Sequence, residues 1–122
     1  MSDDTRRSTQ SSEEMFESIE NISPDTVFDL LSHRHRRIVI ELLVASDGVL
    51  TIRDLRNEII EKEQGVEITE GDKEQIEQVF ISLYHIHIPK LAEEGIVNYD
   101  QERTVVEPTE KLSNLVPFLS QL

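Results

Sequence analysis

Gln78, Ile81, Ser82 and His85 sit at helical spacing, so one side of a helix would present them together. An amide, a hydroxyl and an imidazole can donate to and accept from base edges in a major groove, and an isoleucine can meet a thymine methyl. The same four residues would serve equally as a solvated helix face. Arginines supply the second half of a nucleic-acid chemistry. Arg34, Arg36, Arg37, Arg53 and Arg56 face only Glu41, Asp47 and Asp54 over residues 33–56, leaving that stretch net positive by two. Arg53 and Arg56, at i and i+3, share a face and suit phosphate contacts, and Arg34 and Arg36 are expected to add to the clamp. Arg36 or Arg37 could instead pair with a carboxylate inside the fold, Asp29 or Glu41. Arg103 ends the polar stretch DQER, from which it could enter a narrow minor groove or simply offset Asp100 and Glu102.

Other chemistries find less support. The His33-Arg34-His35 and His85-Ile86-His87 pairs tempt a metal reading, but residues i and i+2 do not face each other on a helix. His87 falls on an apolar stripe and reads as a hydrogen-bonded packing histidine, so no metal and no cofactor is expected. Serine and histidine occur without a nucleophile elbow or oxyanion glycine loop, the carboxylates are scattered, and no glycine run could cradle a phosphate. The chain is not expected to be an enzyme.

The elements that would position these residues follow from caps and periodicity. Residues 1–11 are polar and small and are expected to form a disordered arm. Residues 12–22 read as an amphipathic helix with Met15, Phe16, Ile19 and Ile22 on one side. Ser23-Pro24 restarts a helix through Val27, Phe28, Leu30 and Leu31, and Ser32 is expected to cap the next, which runs to Asp47-Gly48. Val49-Leu50 is a short link or strand. Thr51 caps a helix carrying Ile52, Leu55, Ile59 and Ile60, closed by Gly65. A long helix is predicted over about 72–94, with Ile76, Val79, Phe80, Leu83, His87 and Leu91 inward and a kink or tightening at Pro89. Gly95 stops it, and two strands around DQER form a hairpin over about 96–107. A last helix, 109–122, follows Pro108.

The fold expected is mainly α with a small β-hairpin: a winged helix-turn-helix over 23–108 with N- and C-terminal helical additions. The final helix carries Leu112, Leu115, Val116 and Leu119 as a stripe too apolar for a solitary surface helix. Together with Met15, Phe16 and Ile19 it is expected to form a homodimer interface. A two-fold dimer would place two reading helices one DNA turn apart, about 34 Å. Packing of that stripe on the chain's own first helices is the alternative.

Composition pulls the other way. The 122 residues hold 25 acids against 12 bases, a formal charge of −13 that argues against a polyanionic partner. The acids are dispersed over nearly every segment, and lysine is confined to Lys62, Lys73, Lys90 and Lys111. That pattern fits adaptation to molar salt, where the Debye length falls to about 3 Å and inorganic cations can sit at carboxylates; an ordinary acidic cytosolic protein is the alternative. Without cysteine there is neither disulfide nor thiol redox chemistry. No apolar run spans a membrane and no apolar signal core opens the chain, so a cytoplasmic location is expected.

Two segments resemble a known family. LSHRHRRIVIELL resembles the helix of ArsR-like and related winged-helix repressors in which a polar turn precedes an arginine and an aliphatic run. HIHIPKLAEEGIVNYD resembles their recognition-helix exit and first wing strand. SLYHIHIPKL is similar to the long helix of haloarchaeal winged-helix transcription regulators of the ArsR/PadR-like kind, among them stress-response regulators. The resemblance covers about residues 24–108. It implies a dimeric regulator that binds double-stranded DNA, with reading positions that match Ser82 and His85; the cysteine motifs of metal-sensing members are absent. The rival expectation is an acidic winged-helix module that binds a protein partner.

Overall fold

The computed structural model describes residues 22–46 and 48–121; Met15, Phe16 and Ile19 lie outside them, as do Asp47 and Leu122. Helix α1, Pro24–Leu31, starts where Ser23 Oγ accepts the Thr26 N–H at 3.1 Å and Pro24 presets the first turn. It buries Val27, Leu30 and Leu31. Ser32, expected to open the next helix, instead closes this one by donating its hydroxyl to the Asp29 carbonyl at 2.7 Å. The last carbonyls of a helix lack backbone partners, and a hydroxyl one residue beyond can reach them.

Helix α2, Arg34–Ser46, buries Ile38, Val39, Ile40 and Leu43. Strand β1 is the short Leu50–Thr51. Helix α3, Ile52–Gln64, opens with a complete capping box: Thr51 Oγ1 accepts from Asp54 N and the Asp54 carboxylate accepts from Thr51 N. It ends at Gly65, whose φ of 68° favours a residue without Cβ.

The stretch expected to be one helix is continuous in path but changes register. Helix α4, Lys73–Ser82, is capped by Asp72 and passes into a π-helical turn, Leu83–His87, before helix α5, Ile88–Glu93. Pro89 supplies the physical reason. It has no N–H for the residue four back and its ring crowds that carbonyl, whereas a widened turn, with Ile88 N–H reaching Leu83 O, accommodates both. Gly95, at φ 77°, then turns the chain out.

Strands β2, Val97–Asp100, and β3, Val105–Pro108, pair antiparallel with Tyr99 opposite Val106. β1 pairs on the other edge of β3, Leu50 opposite Val106, giving a small three-stranded antiparallel sheet in the order β1-β3-β2. Helix α6, Glu110–Leu119, is capped by Thr109 and packs on α2. Its Leu112 and Leu115 belong to the chain's own core, Leu115 being 1% exposed, so these two residues cannot form the dimer contact expected of them. The stripe was too apolar for a solitary helix, but its inward half is satisfied within one chain. Leu119 is partly buried against the same core and Val116 is exposed. Thus the described chain is mainly helical, and none of its helices is long and apolar enough to cross a membrane.

Candidate nucleic-acid interface

α4 turns Val79 into the core, and Leu83 and His87 follow from the π turn. Gln78, Ile81 and His85 consequently face outward, with Ile81 48% exposed. An isoleucine held half in water is unfavourable by itself, since covering it recovers hydrophobic free energy. Ser82 is half-buried at the edge of this face. It lines a cleft of about 220 Å³ with His35, Glu63, Gln75, Gln78 and Val79.

The opposite flank of α4 is basic and aromatic. Arg53, Arg56 and Lys73 line a groove of about 310 Å³ with Ile76, Glu77 and Phe80. Arg53 is exposed. Arg56 is half-buried, its guanidinium 5.8 Å from the Phe80 ring centre and bonded twice to Asn57 Oδ1, at 3.0 and 2.8 Å. Burial lowers its basicity first, and the neighbouring Arg53 lowers it further. Phe80 stacks on Tyr84, and Tyr84 meets Tyr99 of β2 edge-on, each pair 6.2 Å apart. This aromatic ladder fixes the hairpin against the helix. Burial, then the Tyr84 phenol, pushes the Tyr99 phenol up to about 12.

At the far end of the hairpin Arg103 is exposed, and its N–H bonds Asp100 Oδ1 at 3.2 Å. Thr104 follows at φ 54°, a strained setting for a β-branched residue. Its carbonyl accepts the Ile52 N–H at 2.9 Å, which ties the turn to the start of α3. Arg34 is exposed, 3.8 Å from Glu63, and lines a further hollow with Arg37, Ile38, Glu41 and Lys62.

Arg36 departs from expectation. It is 6% exposed, which withdraws it from any phosphate. Its Nε donates to Leu30 O at 2.8 Å and its Nη2 to Asp29 O at 2.9 Å, while Nη1 meets His87 Nδ1 at 3.0 Å. Arg37 donates to Leu31 O at 2.7 Å. The two arginines thus satisfy the last three carbonyls of α1, where the helix dipole is negative. Neither takes the carboxylate partner expected: Asp29 offers Arg36 its carbonyl and gives its carboxylate to Lys90 at 2.6 Å.

His87 does pack inside, 4% exposed, but it has company that spacing within either histidine pair could not reveal. Its ring centre lies 4.2 Å from that of His33 and 6.0 Å from that of His35. Burial first, then the neighbouring His33 and Arg36, lowers His87 to about 4; burial and His35 lower His33 as well. His35 Nε2 sits 3.0 Å from Glu63 Oε1. His85, the fourth histidine, stands apart on the outer face, its ring 4.7 Å from Tyr84.

Residues 28–107 match the family described as "Domain of unknown function (DUF7344)". No curated protein and no solved structure matches the chain.

Proposed function

The chain belongs to that DUF7344 family, and we propose that it is a sequence-specific, homodimeric DNA-binding transcription regulator working at high salt. On this reading α3 and α4 form the helix-turn-helix of a winged helix, and the β2–β3 hairpin is its wing. One observation carries it: the outer face of α4 and its π turn is uncharged over Gln78, Ile81 and His85, with arginines on the elements either side. Gln78 and His85 would read base edges, with Ser82 at the rim, and Ile81 would lose its exposed surface against a thymine methyl. Arg53, Arg34 and the free side of Arg56 would hold phosphates, and Arg103 would reach a minor groove from the wing.

The acids of this region have a local explanation. Asp72 caps α4 and Glu74 sits in its first turn, where the helix dipole favours negative charge. The remaining surface acid suits a medium in which charge is screened within about 3 Å. Dimerisation would use the outward side of α6, Val116 and the exposed part of Leu119, together with Met15, Phe16 and Ile19.

Fluorescence anisotropy with duplex fragments across roughly 0.2–3 M potassium chloride tests the reading. Sequence-selective binding that persists at the top of that range is expected, with a shallow salt slope as cations bridge carboxylates and phosphates. Absence of selective binding at every salt concentration would overturn it in favour of a protein partner for the acidic surface.

A further inference from the structure

Three of the four histidines converge although His87 lies more than 50 positions beyond His33 and His35 in the chain. His33 and His35 flank the start of α2, and His87 ends the π turn. One ring nitrogen of each lies within 4.8 Å of the other two. We propose that His33, His35 and His87 bind a single divalent transition metal of the imidazole-preferring class, such as Zn²⁺ or Co²⁺, with Glu63 orienting His35. This site stands independently of the DNA reading.

Metal–nitrogen bonds of about 2.0–2.1 Å place tetrahedral ligands about 3.4 Å apart, so small side-chain rotations close the present spacing. The hydrogen bonds specify which nitrogens are available. A carboxylate only accepts, so His35 Nε2 donates to Glu63 and its Nδ1 keeps a lone pair. That is the carboxylate–histidine arrangement that orients metal-bound imidazoles. His33 Nδ1 accepts the His35 N–H at 3.1 Å, and His87 Nδ1 accepts from Arg36, so their Nε2 atoms carry the protons. Ligation through Nε2 moves each proton to Nδ1, which can then no longer accept, so both rings must turn away from the Arg36 and His35 donors and those two hydrogen bonds are lost. Arg36 retains its anchors on Leu30 O and Asp29 O. The exposure of His33 leaves a fourth position to water.

The nearby guanidinium works against any cation. Only a metal with strong affinity for imidazole overcomes that repulsion, so Mg²⁺ and K⁺, which prefer oxygen ligands, should not compete. This separates the site from cations gathered loosely by the acidic surface.

The test is a Co²⁺ titration of the untagged full chain near neutral pH, followed by the visible d–d absorption of the ion. One Co²⁺ per chain is expected, displaced by Zn²⁺ and indifferent to excess Mg²⁺. His33→Ala and His35→Ala, at an exposed and a half-buried position, should each abolish the band while circular dichroism stays native. Glu63→Ala should weaken binding by about 10–100-fold, as loss of an outer-shell partner does. His85→Ala should leave it unchanged. No Co²⁺ band, or a band that survives in both His33→Ala and His35→Ala, overturns the proposal.

Discussion

Arg36 and Arg53 are the same residue near the start of successive long helices, yet they do opposite work. Arg36 is buried on α1's carbonyls and on His87; Arg53 stands in solvent at the rim of a basic groove. The difference lies in what precedes each helix. α2 follows a helix that ends only three residues earlier, so uncapped carbonyls lie within reach of Arg36 and Arg37. α3 follows a strand and caps itself with Thr51 and Asp54, which leaves Arg53 with no internal carbonyl to satisfy. A guanidinium becomes structural where orphan acceptors surround it and stays available to anions where they do not.

Removing each arginine should expose the contrast. Arg36→Ala leaves carbonyls and a buried imidazole unpartnered and should lower unfolding free energy by about 3 kcal/mol in a urea titration. The buried side can also be probed by acid. His87 is neutral in the fold and titrates only at about 4, whereas the unfolded chain takes up that proton near pH 6.5. Its stability contribution is therefore complete above pH 6.5 and is lost as pH falls toward about 4. The loss reaches about 3 kcal/mol at most, with His33 adding in the same direction. A stability profile flat across that window would contradict the buried imidazole. Arg37→Ala, which gives up one charge-assisted bond, should cost about 1.5 kcal/mol.

Arg53→Ala should leave stability within about 0.5 kcal/mol while weakening DNA evenly across sequences and reducing the salt slope. If it proves as destabilising as Arg36→Ala, the comparison fails. Smallest in total affinity, His85→Ala should shift sequence preference by about 1 kcal/mol at one base position, read by competition between duplexes.

Much of the fold was legible in local chemistry. Ser23-Pro24, the Thr51 cap, Gly65 and Gly95 mark element ends because caps act within a few residues. The inward stripe of α4 and the outward Gln78, Ile81 and His85 followed from helical period. The candidate site was harder. Ser32 and Pro89 each had two local solutions, since a hydroxyl can close one helix or open the next and a proline can kink a helix or widen its turn. Leu112 and Leu115 announced burial without saying against what, and the surface of α2 supplied the answer.

The sequence by itself therefore determined the order of elements, the dispersed negative charge and the uncharged patch on the long helix, since these depend on neighbours along the chain. Tertiary structure alone decided that Arg36 is an internal cap and that His87 joins His33 and His35. The partners of His87, namely Arg36, His35 and His33, lie 51 to 54 positions away in the chain, beyond the reach of any helical or strand period. Contacts of that range form only when packing of α1, α2 and the π turn brings their side chains together.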